Sequence, residues 1–198
     1  FKDMLGSVQD AFGVQVKQRD APFVASTMTP YETPSEEDLS QNEAKIIDLQ
    51  KSVQSLMEKD ENLSENVQVI ADDKGVLVRV GSKFVFARGR AELSPESYPI
   101  MEMVITVMKQ RNFDMVVRGH TDDQEFMGTA FPSNWELSAS RAAAALRYII
   151  EEGGISHTKL KAVGYADTRP AVPNSSEDNR AVNRRVEFYY YLPGEATW

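Results

Sequence analysis

GHTDDQEFMGTAFPSNWELSASRA, Gly119 to Ala142, is where a strand hands over to a helix, and it carries the chain's most chemically loaded positions. His120 is one of only two histidines. Thr121 and the pair Asp122 and Asp123 follow at once. Upstream, FDMVVRG reads as a buried strand, a short apolar run bounded by polar residues. Downstream, Ser133 or Asn134 opens a helix that runs to Glu152. SNWE is a capping box if Ser133 is the cap. Gly153 and Gly154 stop the helix.

The same periodicities extend in both directions. NVQVIADDKGVLVRVGSKFVF alternates and carries DDKG in its middle, the signal of a β-hairpin. Pro95 to Arg111 is expected to be a helix with Ile100, Met103, Val104 and Val107 inward. KLKAVGYA reads as a further strand and RRVEFYYYL as the last. Asp167 to Asn179, with Pro170 and Pro173, reads as a polar loop. The order strand, helix, strand, helix, strand, loop, strand predicts an α+β sandwich, a mixed sheet with helices on one face.

Ahead of this core, SEEDLSQNEAKIIDLQKSVQSLMEKDENL reads as one long helix. Ser35 caps it and acids fill its first turn, where the helix dipole favours them. Leu39, Ile46, Leu49, Val53, Leu56 and Leu63 form a seam that Asn42 and Asp60 interrupt. Such a seam either self-associates or docks on the next domain. Before it, Pro22, Pro30 and Pro34 mark a linker. FKDMLGSVQDAFG sets Phe1, Met4, Leu5, Val8 and Phe12 at helical spacing, an amphipathic segment too short to stand alone in water. It either packs on a protein surface or rests at a membrane. The expected divisions are residues 1–20, an amphipathic segment; 21–65, linker and long helix; 66–192, the α+β domain; and 193–198, a loose tail.

Composition excludes several functions. The 198 residues include no cysteine, which removes thiolate metal sites, cysteine nucleophiles and disulfides together. The net charge of −8 comes without a basic segment, so no nucleic-acid partner is expected. No run of 18 apolar residues occurs, and no signal peptide is visible. The first residue is Phe1, and a fragment of a longer chain is the expectation.

A metal site in the opening stretch would need converging ligands, and His120 has no second histidine at helical spacing. Ser138 and Ser140 sit mid-helix without a nucleophile elbow, which argues against hydrolysis. No metal, cofactor or catalytic residue is expected, and the chain is read as a non-enzyme. Arg141 differs. It lies on the apolar side of its helix, near Leu137, Ala144 and Tyr148, and a charge there must be paired or must snorkel. Two readings stand. In one, Arg141 makes a structural ion pair with Asp122 or Asp123. In the other, Asp122 and Arg141 face one cleft and grip a ligand that carries an ammonium and a carboxylate at the same end.

GHTD, NWELSASRA, GYADTRP and NRRVEF, in this order, resemble the OmpA-like peptidoglycan-binding domain over roughly residues 67–192. That family binds the diaminopimelate end of the wall's stem peptide. The resemblance implies that Asp122 takes the ammonium and Arg141 the carboxylate. Thr121 and Asn134 would add hydrogen bonds, and Arg184 would help close the site. His120 becomes a scaffold residue. PSNWELSASRA with Trp135, the insert QEFMGTAF and the early MLGSVQDAFG are similar to the MotB/PomB group of flagellar stator proteins. This finer resemblance implies the periplasmic part of a single-pass inner-membrane protein. It would be a homodimer joined to a MotA/PomA-like membrane subunit and anchored to peptidoglycan, with residues 1–20 plugging an ion channel. The alternative is an OmpA-like tether from an outer-membrane lipoprotein or porin to the wall.

Overall fold

A computed structural model of the chain describes residues 36–124 and 130–194. All lie in the compact unit Pro34–Trp198. The amphipathic stretch expected at 1–20, the proline-rich linker up to Pro34 and the end of the expected tail, 195–198, lie outside the described residues.

Helix α1 (Glu36–Met57) buries one stripe, Ile46, Leu49 and Val53, at the three- and four-residue spacing of a helix face. The stripe packs on the sheet. Leu39, at the start of the expected seam, is exposed. Arg111 adds a polar tie, donating from Nη2 to Ser52 Oγ at 2.8 Å and pairing with Asp48 at 3.1 Å.

The long helix expected to run unbroken to Leu63 ends instead at Met57, and a short α2 (Glu61–Asn66) follows. Asp60 makes the break. Its carbonyl accepts from the N–H groups of Leu63 and Ser64, both at 3.1 Å. Ser64 Oγ reaches back to the Met57 carbonyl at 3.0 Å. A straight helix would carry Leu63 about 15 Å beyond Val53. The jog returns Leu63 and Val67 to the core that Val53 occupies.

β1 (Val67–Ala71) and β2 (Gly75–Gly81) form the expected hairpin. Asp72 Oδ1 accepts from the N–H groups of Lys74 and Gly75, at 2.9 and 2.8 Å, a side chain standing in for turn backbone. A single turn of 3₁₀ helix at Pro95–Ser97 leads into α3 (Tyr98–Gln110), where Ile100, Met103, Val104 and Val107 are buried as expected. Then come β3 (Asp114–His120), α4 (Asn134–Glu151), β4 (Leu160–Gly164), α5 (Glu177–Asn183) and β5 (Arg185–Tyr191).

The sheet runs β1-β2-β5-β3-β4, antiparallel except for the β3–β4 pair. Helices cover one face, so the fold is the expected α+β sandwich. Alternation along β5 divides the faces. Val186, Phe188 and Tyr190 enter the main core, while Tyr189 and Tyr191 join Val116 on the other side.

The last strand is thus central. Its register brings three strand ends to one edge of the sheet, because Arg185 pairs with both Gly81 of β2 and His120 of β3. Helix α5 occupies the end of what reads in sequence as a polar loop. Seven residues are too few for a periodic signal, and its start depends on Ser176 Oγ accepting from the Asn179 N–H at 3.2 Å.

Candidate functional site

The edge where β2, β3 and β5 end together holds the polar residues of the opening stretch. Thr121 and Asp122 continue β3 and are each 1% exposed. The Thr121 N–H donates to the Ala166 carbonyl at 2.9 Å. Asp122 Oδ1 accepts from the Gln124 N–H at 2.8 Å, and Oδ2 accepts a close hydrogen bond from Arg184 Nη1. Arg184 holds a second carboxylate, Glu177, at 2.8 Å. The hydrogen bonds of Arg184 and Arg180 keep the Glu177 carboxyl below the usual range. Arg184 therefore sits across the mouth of Asp122.

Helix α4 is aimed at the same place. Ser133 caps it, accepting from the Trp135 N–H at 3.1 Å and donating to the Glu136 carboxylate. Asn134 Nδ2 then donates to the Asp122 carbonyl at 3.2 Å. Two turns on, Arg141 is 1% exposed. Its Nε donates to the Arg90 carbonyl at 2.8 Å, and its guanidinium lies 5.5 Å from the Phe86 ring centroid.

The segment that receives Arg141 is a small fold-back between β2 and α3. Phe86 and Leu93 form an antiparallel bridge. The turn Ala87–Arg90 closes with the Arg90 N–H on the Ala87 carbonyl at 3.0 Å. Gly89, at φ +67°, occupies its third position, where a side chain would be strained.

The result is a cleft of about 220 Å³ lined by Ser82, Lys83, Phe86, Arg88, Arg141 and Arg184. Arg141 and Arg184, far apart in sequence, meet there, and Asp122 stands behind Arg184. Asn134 reaches Asp122 from the helix start. The basic wall suits a carboxylate, which two guanidinium forks or an ammonium can bind through charge-assisted hydrogen bonds. Ser82, Lys83, Phe86 and Arg88 are not among the residues expected from the sequence. The run SKFVFARGR carries three basic residues directly after the hairpin. That run is the one signal that could have drawn attention to them.

His120 faces away from this cleft. It is 2% exposed, stacks on Tyr165 with centroids 5.2 Å apart, and sets Nε2 3.4 Å from Glu187 Oε2. Burial lowers its pKa, against the opposing pull of Glu187. Burial raises the Glu187 pKa, yet the hydrogen bonds and charges of His120 and Arg185 outweigh that and hold it far below the usual carboxylate range. Arg185 Nε donates to Glu187 at 2.8 Å and Arg79 Nε at 3.2 Å. This network fixes Arg185, and with it the backbone that presents Arg184. Asn183, wholly buried, accepts from the N–H groups of Ala171 and Val172 and donates to the Val172 carbonyl, which orders the loop before α5. Among the described residues no group of three or more histidines and carboxylates is arranged to hold a metal ion.

Comparison with known proteins agrees with this architecture. The chain is 29% identical over 188 residues to the uncharacterized protein YtxE of Bacillus subtilis, covering 94% of this chain and 74% of that one. It is 28% identical over 141 residues to motility protein B of the same organism, covering 70% of this chain and 53% of that protein, so it spans about half the length of that relative. A crystal structure of a MotB-like protein from Desulfovibrio vulgaris superposes with a TM-score of 0.70 at 28% identity, covering 79% of this chain and 97% of that one. Residues 85–184, which contain the cleft's arginines, Asp122 and the helix that carries Arg141, match the OmpA family, and the chain belongs to that family.

Proposed function

We propose that the chain is the wall-anchoring, periplasmic part of a flagellar motor stator. In this reading its cleft holds the diaminopimelate end of a peptidoglycan stem peptide. The observation that carries the proposal is the meeting of Arg141 and Arg184 on one cleft with Asp122 directly behind. Family membership supports wall binding. The likeness to motility protein B and to the MotB-like structure supports the stator.

The roles follow from chemistry. The ligand's ammonium takes a share of Asp122, whose carboxylate has lone pairs beyond those used by Gln124 and Arg184. Its carboxylate lies on the Arg141 fork. Thr121 Oγ1 and Asn134 Oδ1, both buried and without a hydrogen-bond partner among the described residues, supply further polar contacts. Arg184 moves between Asp122 and the ligand and closes the site. No bond is made or broken, so the ligand is held and not transformed.

A stator must be tied down to push on a rotor. The same reading therefore includes a homodimer, a single inner-membrane helix and a MotA/PomA-like membrane subunit. Among the described residues no helix is long and apolar enough to cross a membrane, so none of them is that helix. Residues 1–20 take the role of a channel plug.

Cosedimentation with purified sacculi tests the proposal. The wild-type chain should pellet with sacculi and be released by a free diaminopimelate-containing peptide. Failure to pellet, or pelleting that such a peptide does not compete, would overturn it.

A further inference from the structure

The roles assigned above leave two cations of the cleft unused. Lys83 and Arg88 both line it and both are exposed. Among the described residues neither is in an ion pair. Lys83 Nζ lies 4.7 Å from the Phe84 ring centroid, a contact that orients the ammonium without neutralising it.

Beside them is Ser82, 3% exposed, whose Oγ has no hydrogen-bond partner among the described residues. The Ser82 backbone is fully used. Its N–H donates to the Arg184 carbonyl at 2.7 Å, and its carbonyl accepts from the N–H groups of Val85 and Phe86 at 3.0 and 2.8 Å. The position is therefore fixed while the hydroxyl is not satisfied. A buried hydroxyl without a partner is a standing cost, and such groups recur where a ligand completes them.

A fixed hydroxyl flanked by two exposed cations matches the oxygens of an anionic group. We propose that Ser82, Lys83 and Arg88 form a second subsite, which takes a second carboxylate of the same ligand next to the head group held by Asp122 and Arg141. This inference rests on the wall-binding reading. Its consequence is selectivity: the cleft distinguishes a stem peptide with two free carboxyl groups from one in which the second is amidated. An amide carries no charge for Lys83 and Arg88 to meet.

Calorimetric titration of the chain with two synthetic diaminopimelate-containing peptides tests this. The second carboxyl is free in one peptide and a primary amide in the other. The free acid should bind roughly tenfold tighter, since two exposed cations and one hydroxyl contribute modestly. Raising the salt should narrow the gap. The double change Lys83→Met with Arg88→Gln should remove the preference without lowering the melting temperature. Ser82→Ala should reduce it severalfold. Equal binding of the two peptides to the wild-type chain would overturn the second subsite and leave wall binding standing. Binding of neither peptide would overturn both.

Discussion

Gly119 and Gly164 lie opposite each other in the β3–β4 ladder, and helix α4 rests on both at Ser138. A Cβ on Gly119 would stand 2.1 Å from the Ser138 carbonyl oxygen, and one on Gly164 would stand 2.5 Å from the Ala139 nitrogen. Ser138 completes the joint. Its Oγ donates to the Trp135 carbonyl and accepts from the Ala166 N–H, both at 3.0 Å. The glycine pair thus sets the height of Arg141 above the sheet.

Gly119→Ala should therefore harm both stability and binding. The obstacle is backbone, so α4 must lift. Overpacking of this kind costs about 1–3 kcal/mol or more. The variant should melt several degrees lower, and its folded fraction should bind sacculi poorly. Wild-type binding by the Gly119→Ala variant would show that the seating of α4 does not position Arg141.

Asp122→Asn isolates the charge from the shape. Asparagine can still accept from the Gln124 N–H, and Arg184 keeps Glu177, so no cation is left stranded in the interior. The loss of stability should be about 1–3 kcal/mol, below the roughly 3–5 kcal/mol of a broken pair that leaves a buried charge behind. Sacculus binding and motility should be lost. Arg141→Lys should also weaken binding, because the ammonium lacks the planar fork. Thermal melting paired with pull-down decides. A large drop in melting temperature with normal binding by the folded fraction would make these residues structural.

The His120–Glu187 network predicts acid sensitivity. Both pKa values are lower in the folded chain than in the unfolded one. For each group the unfolded chain then binds more protons, so stability is present at high pH and is lost as pH falls. For His120 the loss begins as pH drops through about 6.5, and for Glu187 as it drops through about 4.5. The melting temperature should fall between pH 7 and 5. His120→Gln should flatten that part of the curve and leave the steeper fall below pH 4.5. An unchanged slope in the variant would exclude His120 as its source.

Helix α1 should act as a docked strut. Leu49, wholly buried, is its anchor, and Leu49→Ala should cost about 2–5 kcal/mol. Its 22 residues span about 33 Å as helix and about 73 Å if extended. Undocking and melting it would lengthen the tether by about 40 Å. A crosslink from α1 to the Arg111 end of α3 should leave melting and sacculus binding intact and lower motility. Full motility with the crosslink in place would remove this role.

Ser133→Ala removes the cap of α4. The expected cost is about 1 kcal/mol, read as a small drop in melting temperature. Binding should weaken as well, because Asn134 holds the Asp122 backbone from the first turn of the same helix. A variant that is less stable but binds normally would detach the helix start from the site.

The sequence by itself determined what local periodicity and turn chemistry encode. The hairpin at DDKG, the inward residues of α3, the cap at Ser133 and the stop at Gly153 and Gly154 follow from side chains interacting with near neighbours. Such interactions leave marks at fixed spacings. Helical spacing put Arg141 on an apolar face, whereas the site roles of Asn134 and Arg184 were legible only through the resemblance of the ordered motifs to a known family. Tertiary structure alone decided the rest. The break at Asp60 exists because Leu63 must return to a core built from strands that come later. Helix α5 is too short to announce itself and depends on loop contacts organised by Asn183. That Arg184 lies on Asp122, and that Ser82, Lys83 and Arg88 share a cleft with Arg141, follows from the central place of β5 between β2 and β3. Pairing across more than a hundred residues is set by which sheet order buries the apolar face best, and no spacing along the chain records that choice.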